Sequence, residues 1–568
     1  MPTSIAALPI PRRTGAERLA LLFLFVAAAF FWAAKYHPFV HSPQVIDDDA
    51  RQHVYWTYTF QDPALFRHDL LTDFVASPKV APPGYQALYC VGARLMDPLL
   101  FSQILSLLLL SACGILLYYI GREMDAQRGG ALAAFLLLVY FLYSSSGGLP
   151  KSFAFPLLLG TVLLICRNSF TGMAVLFCVQ SILYPPVLLN ALALAAVSWW
   201  RVWRCGTDRR IWWSLVVLGI GAGLAAGALL WVYALWPKAT WGNLVTPDEA
   251  RTMPEFGPQG RTAFYADTWL QMVLNDRWGI GGVRLGGFVV LIAVMYVLGR
   301  RSGFVIPAVA KDLVWTSLGL FVLAHLLLFK LHLPSRYVLY TWPLAALLVI
   351  ATNYEATRAA LDSRCPSLGS CLRRLTKRQS LCWTLLSLAA CGFVYVQNRY
   401  VVNLDPLEVK VDSPAMQLYR YLQTLPKDAL IAGHPLEMDN IPLFARRKVL
   451  ANQELSLPYY GGYYAEVRRR LFDSLAAYYT EDAQEIKHFV QHHGVDFILV
   501  NRRHFTPEFL NGTIYYEPFN SFVKQRLSAH QHFALLEAAI GQHVYVHGPY
   551  ILVSFVAERT QWGSSGSR

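Results

Sequence analysis

The sequence predicts an α-helical protein that crosses a membrane many times, followed by a smaller α/β unit. Of its 568 residues, 55% are hydrophobic and only 15% are charged, a balance that ordinary soluble domains do not carry. Apolar runs of about 15 to 25 residues, the length that crosses a hydrocarbon core, recur through residues 1–397. Beyond about Asn398 the runs shorten and charges return.

Eleven runs read as crossings: 17–34, 99–120, 131–145, 152–166, 172–184, 187–200, 211–236, 284–299, 313–331, 337–352 and 381–397. The pairs that meet around Gly147 and around Pro185-Pro186 are each too long for one crossing and carry a turn signal in the middle. Both read as helical hairpins. The first run has a basic flank, but its core is long for a signal peptide and "WAAKYHPF" is a poor cleavage context. It is therefore expected to be retained as a span.

Orientation follows from Lys and Arg in the short connections. With Arg12, Arg13 and Arg18 on the cytoplasmic side, alternate connections should be basic. They are: Arg122 and Arg128; Arg167; Arg201, Arg204, Arg209 and Arg210; Arg300, Arg301 and Lys311; and then the group from Arg358 to Arg378. The opposite turns hold little more than Lys151 and Arg336. This bias accounts for much of the +13 net charge without any nucleic-acid partner. It also places the connections 35–98 and 237–283, and everything after residue 397, outside. Eight of the nine cysteines fall in membrane or cytoplasmic segments and only Cys90 outside, so neither a disulfide framework nor a Cys-based metal site is predicted.

In the outer C-terminal unit, 398–556, "SPAMQLYRYLQTL" has helical periodicity and leads into an apolar strand, "DALIAG". Two further helices, "YYAEVRRRLFDSLAAYY" and "DAQEIKHFVQHHG", precede the strand "VDFILVN", and "HVYVHGPYILVSFV" reads as a closing strand pair. Alternating helix and strand predicts a small α/β domain. The tail 557–568 is expected to be disordered. There is no P-loop, dinucleotide fingerprint or nucleophile elbow, and Asn511-Gly512-Thr513 fits a glycosylation sequon.

The informative stretch is "QVIDDDARQHVYW", residues 44–56, where Asp47, Asp48, Asp49, Arg51 and His53 follow the first span. Carboxylates just outside a membrane can bind a cation, take a proton from an attacking hydroxyl, or solvate a turn. An aromatic and basic stretch follows, with the composition of helices lying at the interface; Pro82-Pro83-Gly84 should open one of them. Lys151 in "GGLPKSF" and Arg336 in "LPSRY" are cations on the side where cations are scarce. Each suits a phosphate or is an ordinary snorkelling side chain. Arg51 and Lys79 are further basic candidates. His325, Lys330 and His332 lie within or near the end of a span, where ionisable groups are costly. In the connection 237–283, Asp248 and Glu249 are candidates for a second carboxylate; Arg251, Glu255 and Asp267 are its other charges, and its Pro and Gly content suits a lid.

The acidic motif in the first outer loop, the interfacial helices behind it, the many spans and the outer C-terminal unit together resemble the GT-C integral membrane glycosyltransferases. "DDDARQH", "LPSRY" and "GLPKSFAFP" look most like bacterial enzymes that use polyprenyl-phosphate sugars. The resemblance implies a GT-C-like fold, a multi-pass protein of a bacterial inner membrane, and sugar transfer at the outer face. The donor would be a lipid-linked sugar and the acceptor a glycan, lipid or protein. It further implies that a carboxylate of the first loop is the catalytic base or helps hold a metal. Asp47, Asp48 and Asp49 match that position, with Asp49 the first choice for the base and adjacent like charges expected to raise an aspartate's pKa. Lys151, Arg336, Arg51 and His53 are the matching candidates for substrate binding. Mg²⁺ or Mn²⁺ suits such carboxylates, Asp47 and Asp49 above all, and the sequence leaves metal use open. A polytopic transporter or lipid-linked glycan flippase is the rival reading, although no internal repeat is visible; a non-catalytic assembly partner is a third.

Overall fold

The computed structural model describes residues 15–41, 45–141, 146–205, 209–232, 241–263, 268, 270–271, 279–280, 282–331, 333–364, 408–527 and 532–556. Helices stand at the first ten apolar runs: Gly15–His41, Pro98–Glu123, Gln127–Phe141, Ala154–Cys166, Phe170–Leu183, Pro185–Cys205, Arg209–Leu230, Gly282–Gly299, Ala308–Leu326 and Thr341–Arg364. Run 381–397 and the tail lie outside the described residues.

Among the described residues, five helices are long and apolar enough to cross a membrane: Pro98–Glu123, Pro185–Arg204, Trp212–Leu230, Ala308–Leu326 and Ser335–Ser363. The apolar helices Gln127–Val139, Pro150–Cys166, Phe170–Leu183 and Leu285–Gly299 are shorter. Exposed Val216, Ile220 and Leu224 line the outside of one long helix, an apolar face that suits lipid better than water. A break stands at each of the two expected turn signals. The chain breaks at Tyr184 before Pro185 opens the next helix, and it turns through left-handed Gly147 and Gly148 before Pro150–Phe153. Asp97 caps the helix Pro98–Glu123 by accepting from the Leu99 N–H at 2.9 Å, with Pro98 at its first position.

The connection after the first helix holds the short helix Leu70–Val75 and the helix Pro83–Leu95, the latter opened by Pro82 and Pro83. Before them comes the strand β1, Val45–Asp47, which pairs antiparallel with β2, Glu408–Lys410, in the register Val45↔Lys410 and Asp47↔Glu408. This pairing was not expected from the sequence, since three residues per strand are too few for a period to show.

The C-terminal unit is built on β3 (Leu430–Gly433), β4 (Lys448–Val449), β5 (Phe497–Asn501), β6 (His543–His547) and β7 (Tyr550–Ser554), in the order β4-β3-β5-β7-β6. β3 runs parallel to both β4 and β5, while β7 is antiparallel to β5 and β6. Every residue of β5 is buried, the pattern of a central strand covered on both faces.

Aromatic packing joins this unit to the connections 35–98 and 237–283. Phe74 stacks on Tyr463 with ring centroids 3.7 Å apart, and its ring lies 5.4 Å from Trp241 and 5.5 Å from Tyr460. Such pairs each contribute about 0.5–1.5 kcal/mol beyond their burial. The backbones cross at two glycines: Gly242 has φ +74°, and a Cβ there would lie 2.4 Å from the Gly462 nitrogen.

Candidate active site

The acidic stretch folds as β1, a two-residue turn, and the single helical turn Ala50–His53. This geometry sends its three aspartates in different directions. Asp47 is 4% exposed and its Oδ1 accepts from the Asp49 N–H at 3.2 Å, so it braces the turn. Asp48 pairs with Arg51 Nη2. Asp49 pairs through Oδ2 with Lys151 Nζ.

Lys151 reaches Asp49 because of the turn that carries it. Gly148 has φ +57°, a conformation costly for side-chain-bearing residues, and a Cβ there would lie 2.4 Å from the Ser102 carbonyl oxygen. Tyr89 donates to the Gly148 carbonyl at 3.2 Å, and the Leu149 N–H donates to Ser152 Oγ at 3.2 Å. Arg336 completes this side. Its Nη1 donates to the Tyr340 hydroxyl at 3.1 Å, which lies 3.5 Å from that of Tyr184. Arg336 Nε and His53 Nδ1 are buried with no hydrogen-bond partner among the described residues.

The other side of the site belongs to the C-terminal unit. Arg51 Nη1 lies 3.5 Å from Asp439 Oδ2 and its Nη2 3.6 Å from Glu454 Oε2. Arg261, from the connection 237–283, also reaches Glu454 Oε2 at 3.6 Å and donates through Nε to the Gln453 carbonyl at 2.9 Å. Asp439 Oδ1 accepts from the Glu454 N–H at 2.8 Å. Neither Asp439 nor Glu454 was singled out in the sequence. Both lie about 400 residues away among unremarkable loop residues, and the one available signal was an acidic residue in a largely apolar segment.

Electrostatics separates the carboxylates. Burial pushes Asp49 up, but Lys151, His53 and Arg336 together hold it below the usual carboxylate range. This corrects the expectation that Asp49 would be raised, because the cations Lys151 and Arg336 outweigh the burial that pushes it up. Burial lowers His53 to about 4 against the pull of Asp49, with Lys151 and Arg336 adding to the fall, so the ring is neutral near pH 7. Burial raises Asp439 to about 6 despite Arg51, and it raises Glu454 despite Arg261. Glu454 is thus the carboxyl most ready to hold a proton.

Asp48, Asp49 and Glu454 each offer an oxygen, all within 4.8 Å of one another. Asp47, singled out earlier as a ligand, is not in this group. Asp248 and Glu249 are not in this group either: Glu249 closes a capping box with Thr246 and Asp248 is exposed. Glu255 is buried against Arg468 at 2.6 Å and Tyr464 at 3.3 Å, tying its loop to the helix Gly461–Tyr478. His325 Nδ1 bonds the Phe321 carbonyl at 2.9 Å within its own helix, and Lys330 is exposed. His332 and Asp267 lie outside the described residues.

No family model and no curated protein matches the chain. Among solved structures, the archaeal oligosaccharyltransferase AglB from Archaeoglobus fulgidus, in complex with an inhibitory peptide and a dolichol-phosphate, is 11% identical. The match covers 90% of this chain and 73% of that one, with a TM-score of 0.45. The arabinofuranosyltransferase AftD from Mycobacteria is 13% identical over 94% of this chain, with a TM-score of 0.48, and the chain spans only 41% of its length. The Archaeoglobus fulgidus oligosaccharyltransferase in complex with Zn and sulfate is 11% identical over 87% of this chain and 70% of its own, with a TM-score of 0.37.

Proposed function

We propose that the protein is a membrane glycosyltransferase that moves a sugar from a polyprenyl-phosphate donor to an acceptor hydroxyl at the outer face of a bacterial inner membrane. The observation that carries this reading is the meeting of Asp49 with Lys151, beside Arg336 and His53. A carboxylate that can take a proton and cations that can hold a phosphate stand together where the acidic loop faces the bundle. That is the pair of functions a glycosyl transfer from a lipid phosphate requires.

In the reaction, Asp49 takes the proton of the acceptor hydroxyl as its oxygen forms a bond to the anomeric carbon. The bond from that carbon to the phosphate oxygen breaks, and the polyprenyl phosphate leaves. A single displacement of this kind inverts the anomeric centre. Lys151 and Arg336 neutralise the leaving phosphate, so no acid is needed there. Neutral His53 is a hydrogen-bonding partner for the donor headgroup. Arg51 holds Asp48 against the C-terminal unit, which is itself a wall of the site.

The grouping of Asp48, Asp49 and Glu454 favours a second element. Three oxygen donors within 4.8 Å fit a hard divalent cation such as Mg²⁺ or Mn²⁺. A cation held there would add positive charge near the phosphate.

The test is transfer of labelled sugar from polyprenyl-phosphate sugars in membranes, comparing wild type, Asp49→Asn and Asp48→Asn at equal protein levels. Asp49→Asn should lose transfer while still binding donor. Equal transfer by wild type and Asp49→Asn, or none by the wild type from any donor, would favour the flippase reading.

A further inference from the structure

Lys151 is engaged with Asp49, yet the glycosyl-transfer reading needs both residues elsewhere: the ammonium on the donor phosphate and the carboxylate on the acceptor hydroxyl. Resting on that reading, we propose that Lys151 is shared. It holds Asp49 when donor is absent and the donor's phosphate when donor is present, so that donor binding itself releases the base.

Three observations carry this. The pair is shielded, with side-chain exposures of 16% for Lys151 and 27% for Asp49; the low-dielectric surroundings hold the ions together. While Lys151 sits on Oδ2, that oxygen is occupied and does not take a hydroxyl proton. Next, Arg336 Nε and His53 Nδ1 are buried polar nitrogens without hydrogen-bond partners among the described residues, and both residues lie within electrostatic reach of Asp49 and Lys151. Buried polar atoms left unpaired are costly, and an anion with several oxygens relieves both at once. Asp49 offers Lys151 a single carboxylate. A phosphate offers it an anion that also engages Arg336 and His53, so it wins the competition. Last, the turn bearing Lys151 is held by the Tyr89 hydrogen bond and by two left-handed glycines, one packed closely against the Ser102 carbonyl, so the change of partner is a swing of one flexible side chain on a fixed base.

An ordered reaction follows. Acceptor arriving first meets a neutralised carboxylate, and productive binding begins with donor.

The experiment measures binding of farnesyl phosphate to the full-length protein in detergent. If Asp49 competes for Lys151, Asp49→Asn binds the probe about five- to tenfold more tightly than wild type, although it transfers no sugar. Lys151→Gln binds more weakly, and adding Asp49→Asn to it changes affinity by less than about twofold, the signature of a coupled pair. Asp62→Asn, in the same connection as Asp49 but with its carboxylate paired to Lys427, stays within about twofold of wild type and shows that removing a negative charge from that connection is not enough. Sharing is overturned if Asp49→Asn fails to tighten binding, or tightens it equally with and without Lys151. Absence of binding to the wild type overturns the glycosyl-transfer reading and the sharing with it.

Discussion

Arg51 and Asp439 are 388 residues apart in sequence and 3.5 Å apart in space. Arg51 also holds Asp48 and approaches Glu454, so one guanidinium, 12% exposed, fastens the acidic loop to the C-terminal unit. Replacing it takes the cation from buried Asp439 and one of two from Glu454, which keeps Arg261. Arg51→Met should cost about 3 kcal/mol or more of stability, and Asp439→Leu in the same chain should recover a large part of that loss. Thermal unfolding in detergent reads both; additive losses would show that the pair does not act as a unit.

The same junction has a pH dependence. Asp439 is raised from 3.8 to about 6. A raised folded-state pKa means stability fully present below about pH 4 and lost as pH rises through about 6. The change of roughly two units corresponds to at most about 3 kcal/mol. Asp49, lowered in the folded protein, acts in the opposite direction, through stability lost as pH falls below about 4. Melting profiles between pH 4.5 and 7.5 should slope downward in the wild type and less steeply below about pH 6 in Asp439→Asn, the rest of the slope belonging to Glu454, raised to about 8. Identical slopes would assign the effect to another group.

Gly148 sets the base from which Lys151 reaches the site. Gly148→Ala puts a Cβ against the Ser102 carbonyl at a left-handed φ and is expected to cost about 1–3 kcal/mol. Because the turn must shift, farnesyl-phosphate affinity should fall together with the melting temperature. Unchanged binding would mean that Lys151 compensates by its own flexibility.

Glu454 separates the metal element of the proposal from the rest. If Asp48, Asp49 and Glu454 hold a divalent ion, transfer falls after chelation and returns with Mg²⁺ or Mn²⁺. Glu454→Gln should then need about tenfold more metal for half-maximal activity. Transfer indifferent to chelation in both proteins would reject the ion.

Much of the helical layout was legible because long apolar runs and Pro or Gly breaks are local signals. The acidic stretch was legible as a site because three carboxylates beside a span are chemically unusual, and the charge bias isolated Lys151 and Arg336. Three things were not legible. The division of labour among Asp47, Asp48 and Asp49 depends on a turn only two residues long. The fall in Asp49's pKa depends on cations brought in from distant segments. Asp439 and Glu454 join the site through a fold that pairs β1 with β2 across more than 350 residues, and no periodicity encodes such a pairing.

The β1–β2 ladder also limits how this protein can be recombined. Val45–Asp47 completes its hydrogen bonding with Glu408–Lys410, so the two segments form one inheritable piece although more than 350 residues separate them. A chimera that exchanges the C-terminal unit alone gives the acidic loop a foreign strand partner and replaces the counter-charges of Arg51. Exchange of that unit together with residues 45–53 keeps the ladder and its charges matched.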